Sequence, residues 1–195
     1  LELLPFKKAM DEGVDLLMTA HIQYPQIEKD QVVSKETGEK IYVPATLSDD
    51  ILTGLVRKKY GYKGVIVSDA MGMDAIAKNF GEVEAVKMAI KAGVDLVLMP
   101  TTLRSKADLS KIDTIVDAVV DAVKTGDISE ERLNESVRRI LTLKEKRGVL
   151  NFDPSARTAE KAEEAVGSTL NRDLERKIAA AAVTVVKNEE NTLPF

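Results

Sequence analysis

Apolar positions along the chain fall into two rhythms, a helical spacing of three and four residues and short unbroken apolar runs. The two alternate. Residues 9–18 read AMDEGVDLLM and residues 89–98 read AIKAGVDLVL, so each closes a helical stretch, turns at Gly13 or Gly93, and enters an apolar run at Val14 or Val94. Glycine suits the left-handed position that commonly follows a helix C-terminus. A looser third copy, YGYKGVIVSD at 60–69, places Gly61 and Gly64 between a helix and the run Val65 to Ser68. Helices alternating with short apolar strands predict an α/β fold with a parallel sheet.

The helices have readable ends. Ser48 is a capping residue with Asp49 and Asp50 behind it and Lys58 and Lys59 ten residues on, which predicts a helix over Ser48 to Tyr60. Leu109, Ile112, Val116, Val119, Val120 and Val123 keep helical spacing up to Gly126 and predict an amphipathic helix over 108–125. Ser129 opens a further helix, acidic at its start and basic at its end, that stops at Gly148 and carries Leu133, Val137, Ile140 and Leu141 on one face. Tyr24 to Pro44 is polar and too long for an ordinary strand-to-helix connection. It reads equally as a functional loop and as a solvated excursion, and Glu28, Glu36 and Glu39 within it are expected to be solvated. Asp153 to Asp173, rich in Ala and charge, reads as a linker or a loosely packed helix. The β-branched run Val183 to Val186 beyond it reads as a strand. The start at Leu1, inside a helical pattern, and the end just after that strand give the chain the look of a piece of a longer protein.

Composition narrows the chemistry. Of 195 residues, 28 are Lys or Arg and 32 are Asp or Glu, a net charge of −4 that gives no attraction to nucleic acid or to an anionic membrane. No apolar run reaches the ~18–20 residues of a membrane span. With no Cys and one His, thiolate zinc sites, a Cys nucleophile, disulfides and a histidine metal cluster are all excluded for this chain. No pattern suggests a metal or an organic cofactor; Gly72 stands outside any phosphate-cradling glycine motif.

Parallel β/α folds gather their chemistry at the C-terminal ends of the strands. That rule selects Thr19 and His21, Ser68 and Asp69, and Thr101 and Thr102. Asp69 leads, because a carboxylate closing the run Val65, Ile66, Val67 is incompletely hydrated and needs either partners or a task; a helix-cap role is the plain alternative. A lone His is more often structural, but the position of His21 at a strand end raises its standing. Met71 and Met73 either line a pocket wall or fill core gaps. Asp15 and Asp95 lie at the opposite ends of their strands and are expected to bind backbone or helix ends.

The segments LPFKKAMDEGVDLLMTAHI (4–22), VPATLSDDILTGLVRKKYGYKGVIVSDAMGM (43–73) and AIKAGVDLVLMP (89–100), in this order and spacing, resemble the family 3 glycoside hydrolases, and within them the bacterial β-N-acetylglucosaminidase branch. The stretch RRILTLKEKRGVL and the final AAAVTVVKNEENTLPF are similar to the same family. The resemblance implies that residues 1–150 are the C-terminal part of a (β/α)8 TIM barrel, truncated here. Residues 151–178 would be a linker, and 179–195 the first strand of a following α/β domain. It implies a retaining hydrolase acting on terminal β-N-acetylglucosamine in cell-wall or chitin-derived oligosaccharides, with Asp69 as catalytic nucleophile and His21 and Met71 as substrate-binding residues. The family's acid/base His lies on a loop upstream of residues 1–22, so the chain by itself is expected to be inactive, and an incomplete barrel is expected to self-associate through its open edges. A β-glucosidase or β-xylosidase of the same family, or an interaction fragment without catalysis, are the alternatives. An aldolase-type barrel finds no strand-end Lys to support it.

Overall fold

The computed structural model describes residues 3–151, 153 and 158–188. The chain divides into two units, Leu1–Val149 and Leu150–Phe195.

The first unit opens with α1 (Leu4–Asp11), turns at Gly13 with φ +80°, and enters β1 (Leu16–Met18). A hairpin follows, β2 (Gln31–Val33) against β3 (Lys40–Tyr42), then a 3₁₀ turn at Ala45–Leu47 and a helix over Asp50–Lys59. β4 (Val65–Val67) lies parallel to β1 with Leu16 opposite Val65 and Met18 opposite Val67. After α2 (Asp74–Phe80) and α3 (Glu82–Ala92) the chain returns beside β4, where a parallel bridge pairs Val67 with Leu96. Backbone bonds widen that contact: Ser68 N–H donates to Leu96 C=O at 3.0 Å and Met71 N–H to Leu98 C=O at 3.0 Å. The helices α4 (Leu109–Lys124) and α5 (Glu130–Lys146) complete the unit.

Two-residue alternation sorts the side chains of this sheet. Leu17, Ile66 and Val97 face the helices and belong to a core with Leu52, Val56, Ile76, Phe80 and Val94. Ala85, Ala89 and Ala92 present the small side of α3 to that core, so backbone and sheet approach closely. Each large side chain buried here contributes about 1.5–3 kcal/mol. On the other face Leu16, Met18, Leu96 and Leu98 remain between 37% and 54% exposed.

The sequence echo has a structural cause at the N-terminal ends of the strands. Asp95, its side chain fully buried, accepts from Ile66 N–H, Arg57, Arg132, Arg139 and Ser136 Oγ, the last three from α5. Asp15 holds Lys146, at the end of α5, and Arg147 just beyond it. Both aspartates therefore fasten α5 beneath the sheet, as expected for groups at this end. Hydrogen bonds from Lys146 and then Arg147 keep the Asp15 carboxyl below its ordinary pKa. Burial pulls the Arg57 guanidinium down, with the nearby Asp95 opposing it, and burial raises Tyr62, whose ring Arg57 overlies, to about 12.

Four expectations change. The helix after Ser48 is wound in π form, with Tyr60 N–H bonded to Leu55 C=O, although Ser48 Oγ accepts from Ile51 N–H as a cap should. In α4 the buried residues are Ile115 and Ala122, while Leu109, Val116 and Val120 are about half exposed: a helix with valines on three sides offers more than one apolar stripe, and packing against α3 chooses the one with the small residue. Glu28 is not solvated. It is 4% exposed, takes the Ser48 hydroxyl on one oxygen at 2.5 Å and Asp30 N–H on the other at 2.7 Å, and so ties the polar stretch to the head of the π-helix. The rest of that stretch is the β2–β3 hairpin, held to α2 by Ser34 Oγ and Lys35 N–H bonding to Asn79.

In the second unit Thr158 caps α6 (Ala159–Val166) and Ser168 caps α7 (Thr169–Ala182). α7 runs through the predicted boundary at 178/179, and Val183–Val186 follow outside any helix and with no strand pairing among the described residues, because a β-branched run becomes a strand only where a partner supplies the ladder. Residues 189–195, the rest of the segment that the resemblance assigns to a following domain, lie outside the described residues. Among the described residues no helix is long and apolar enough to cross a membrane.

Candidate active site

Three chain segments end side by side at the C-terminal edge of the sheet: Thr19–His21 after β1, Ser68–Ala70 after β4, and the segment after Leu98. Asp69 stands in the middle one. Its flanks are fixed. Val67 C=O accepts Thr19 N–H at 2.9 Å from the β1 side, while Ser68 N–H and Oγ bond Leu96 C=O and Leu98 N–H on the other side. Ser68 is fully buried. Asp69 itself is half-buried, and its Oδ1 accepts the N–H of Ala70 at 2.7 Å. Among the described residues no Lys, Arg or His pairs with its carboxylate. A hydrogen-bonded frame thus presents a carboxylate whose second oxygen has no hydrogen-bond partner among the described residues, the condition a nucleophile requires.

His21 lies close to the same frame, but both ring nitrogens are taken: Nδ1 lies 2.9 Å from Thr46 Oγ1 and Nε2 lies 3.0 Å from Ala70 C=O. Both ring nitrogens are thus engaged within the protein. Thr46, in the buried 3₁₀ turn, also meets Thr19 Oγ1 at 2.8 Å, and Ala45 N–H bonds Ile22 C=O, so the turn is pinned beside the end of β1. Met71 is 1% exposed within the core, beside Ile66 and Ile76. In that place it fills a core gap, the second of the two roles its sequence position offered. Thr101 turns away to donate to Glu82 in the first turn of α3, and Thr102 stays at the surface. Met99, beyond the third segment, holds φ +45°, a left-handed backbone rare for a non-glycine residue.

Sequence reasoning missed Thr46 and the Ala70 carbonyl. A hydroxyl between Ala45 and Leu47 in a buried turn was the available signal for the first; a backbone carbonyl leaves none. Among the described residues no group of three or more His, Asp or Glu side chains is arranged to hold a metal ion.

Comparison with known proteins matches residues 1–143 to the model described as glycosyl hydrolase family 3 N terminal domain. A β-hexosaminidase A of Pseudoalteromonas piscicida is 38% identical over 191 residues, covering 96% of this chain and 31% of the relative. A β-N-acetylglucosaminidase/β-glucosidase of Cellulomonas fimi is 28% identical over 193 residues, covering 97% and 31%. Among solved structures, a family 3 β-N-acetylglucosaminidase from a Paenibacillus species superimposes with a TM-score of 0.76 at 34% identity, over 97% of this chain and 32% of that one. The chain therefore spans about a third of the length of these relatives.

Proposed function

The chain belongs to glycosyl hydrolase family 3, with the family's α/β fold of TIM-barrel type, and from that premise we propose that Asp69 is the nucleophile of a retaining glycosidase that removes terminal β-linked N-acetylglucosamine. The observation that carries this reading is the half-buried carboxylate at the end of β4, with strand-end backbone bonds on both flanks and one oxygen without a partner among the described residues. The ionised carboxylate attacks the anomeric carbon as the leaving oxygen takes a proton from a second group, giving a glycosyl ester. Water, losing its proton to that same group, then attacks the anomeric carbon and returns Asp69 as carboxylate. The preference for N-acetylglucosamine over glucose rests on the resemblance of the TAHI segment and on the hexosaminidase relatives; the Cellulomonas relative, whose name carries both activities, keeps glucosides as the second reading.

The acid/base is not His21, whose nitrogens are both bonded within the protein. We place it, with most of the sugar-gripping residues, in a part of the barrel upstream of this segment, so that residues 1–150 hold the nucleophile half of a site. The exposed apolar sheet face at Leu16, Met18, Leu96 and Leu98 supports self-association of the segment when it is isolated.

Hydrolysis of an aryl β-N-acetylglucosaminide by the full-length protein tests the reading. Asp69→Ala lowers kcat by at least about 10³-fold, and azide restores turnover as the α-glycosyl azide. Turnover within tenfold of the unmodified protein, or azide rescue giving the β product, overturns it. The isolated 195-residue chain shows no turnover.

A further inference from the structure

The backbone around Asp69 is braced by two peptide units, each bonded on both sides. The 67–68 unit accepts Thr19 N–H through Val67 C=O and donates Ser68 N–H to Leu96 C=O. The 70–71 unit donates Met71 N–H to Leu98 C=O and accepts His21 Nε2–H through Ala70 C=O, at 3.0 Å each. Asp69 hangs between these two struts. Met73 N–H also donates to Ala70 C=O, at 3.1 Å from within the following turn, so four of the five bonds run from backbone to backbone and no side-chain change removes them directly. The fifth, made by His21, is the one that ties the Ala70 carbonyl to the end of β1.

The direction of that bond follows from its acceptor. A carbonyl only accepts, so Nε2 carries the hydrogen, and in the neutral ring Nδ1 is then an acceptor. Thr46 Oγ1 must donate to Nδ1, which uses its single hydrogen, so Thr19 Oγ1 donates to Thr46 Oγ1. Thr19 and Thr46 are both buried, at 9% and 0% exposed, so water does not readily substitute for either hydroxyl. A one-way series of donors, Thr19 to Thr46 to His21 to Ala70 C=O, holds the ring in one tautomer and one orientation.

We propose that His21 is a positioning residue for the nucleophile, bracing the Asp69–Ala70 segment through the Ala70 carbonyl, with Thr46 fixing its tautomer. The proposal rests on the reading of Asp69 as nucleophile. Removing the brace leaves the sugar's own contacts intact but lets the carboxylate wander from its line of attack, and a displacement of about 1 Å at a reacting atom costs on the order of 10²-fold in rate.

The experiment measures kcat, KM and the first-order rate of covalent trapping by a slow fluoroglycoside in the full-length protein. His21→Ala lowers kcat and the trapping rate together by about 10²-fold, with KM within about threefold. His21→Gln, whose amide N–H takes the place of Nε2–H, recovers to within about tenfold of the unmodified rates; His21→Asn, one bond shorter, does not. Thr46→Val lowers kcat by about tenfold by freeing the other tautomer. The proposal is overturned by His21→Ala with kcat unchanged, by a raised KM at intact kcat, which marks direct sugar contact, or by equal rates for the Gln and Asn variants. Should His21→Ala fail to fold, the Gln to Asn ratio carries the same test. A label on a residue other than Asp69 in the unmodified protein instead refutes the nucleophile assignment, so the two failures are distinguishable.

Discussion

Replacing Asp95 by Asn removes the one negative charge that Arg57, Arg132 and Arg139 share beneath the sheet. The carboxylate has no exposed surface and accepts five hydrogen bonds, Arg57 and Ile66 N–H on Oδ2 and Arg132, Ser136 and Arg139 on Oδ1. Asn keeps one acceptor oxygen. With that oxygen toward Arg57 and Ile66, the new amide N–H₂ points at Arg132 and Arg139, donors facing donors, while Ser136 Oγ alone can adapt. Breaking a buried pair from one side costs about 3–5 kcal/mol, because the partner charges stay buried without compensation. Arg139→Met should cost far less, about 1 kcal/mol: its side chain is 24% exposed, its second partner Glu135 lies at the surface, and two guanidiniums still serve Asp95. Urea unfolding followed by far-UV circular dichroism reads the difference as a lowered midpoint at unchanged slope. For a chain of 195 residues it corresponds to a fall in Tm of about 6–20 °C for Asp95→Asn. A loss below about 1 kcal/mol, or an equal loss for Arg139→Met, refutes the argument that this carboxylate is the shared counter-charge.

Further outcomes follow from the same packing. Met71→Ala should destabilise by about 2–5 kcal/mol and Met71→Leu by less than about 1.5, with KM unchanged in Met71→Leu; a raised KM would restore a substrate contact. Gly64→Ala should abolish cooperative unfolding or lower Tm sharply, since a Cβ there meets the Tyr62 hydroxyl and lies 2.8 Å from Asp15 C=O; a thermal melt like that of the unmodified protein contradicts it. Because burial raises Tyr62 to about 12, its neutral form is favoured in the folded state. Stability from this group is complete below pH ~10 and is lost as pH climbs toward 12, and Tyr62→Phe should flatten that part of a stability–pH curve.

The strand ends were legible because glycine punctuation and short apolar runs are local signals, and the site rule for parallel sheets then singles out Asp69 without any contact being known. Asp15 and Asp95 were legible for the same reason, as the opposite ends of the same strands. The brace on Asp69 was not, since His21 and Ala70 are 49 residues apart and the acceptor is backbone. Glu28 failed similarly: a glutamate in a charged stretch looks solvated until the hydroxyl of Ser48, 20 residues on, is placed against it. Met71 follows Asp69 in a turn with no periodicity to say inside or outside, so packing alone decided it. The valines of α4 satisfy several helical stripes at once, and only the position of α3 selects among them. Val183–Val186 show the limit of β propensity, which describes how a residue suits a sheet and does not provide one.

Treating the full-length protein with a slow mechanism-based fluoroglycoside and sequencing the labelled peptide by mass spectrometry decides whether Asp69 is the nucleophile. One glycosyl group is expected, esterified to Asp69 in the peptide that contains Val65 to Ala70. A stable label on any other carboxylate, with Asp69 unmodified, would contradict it.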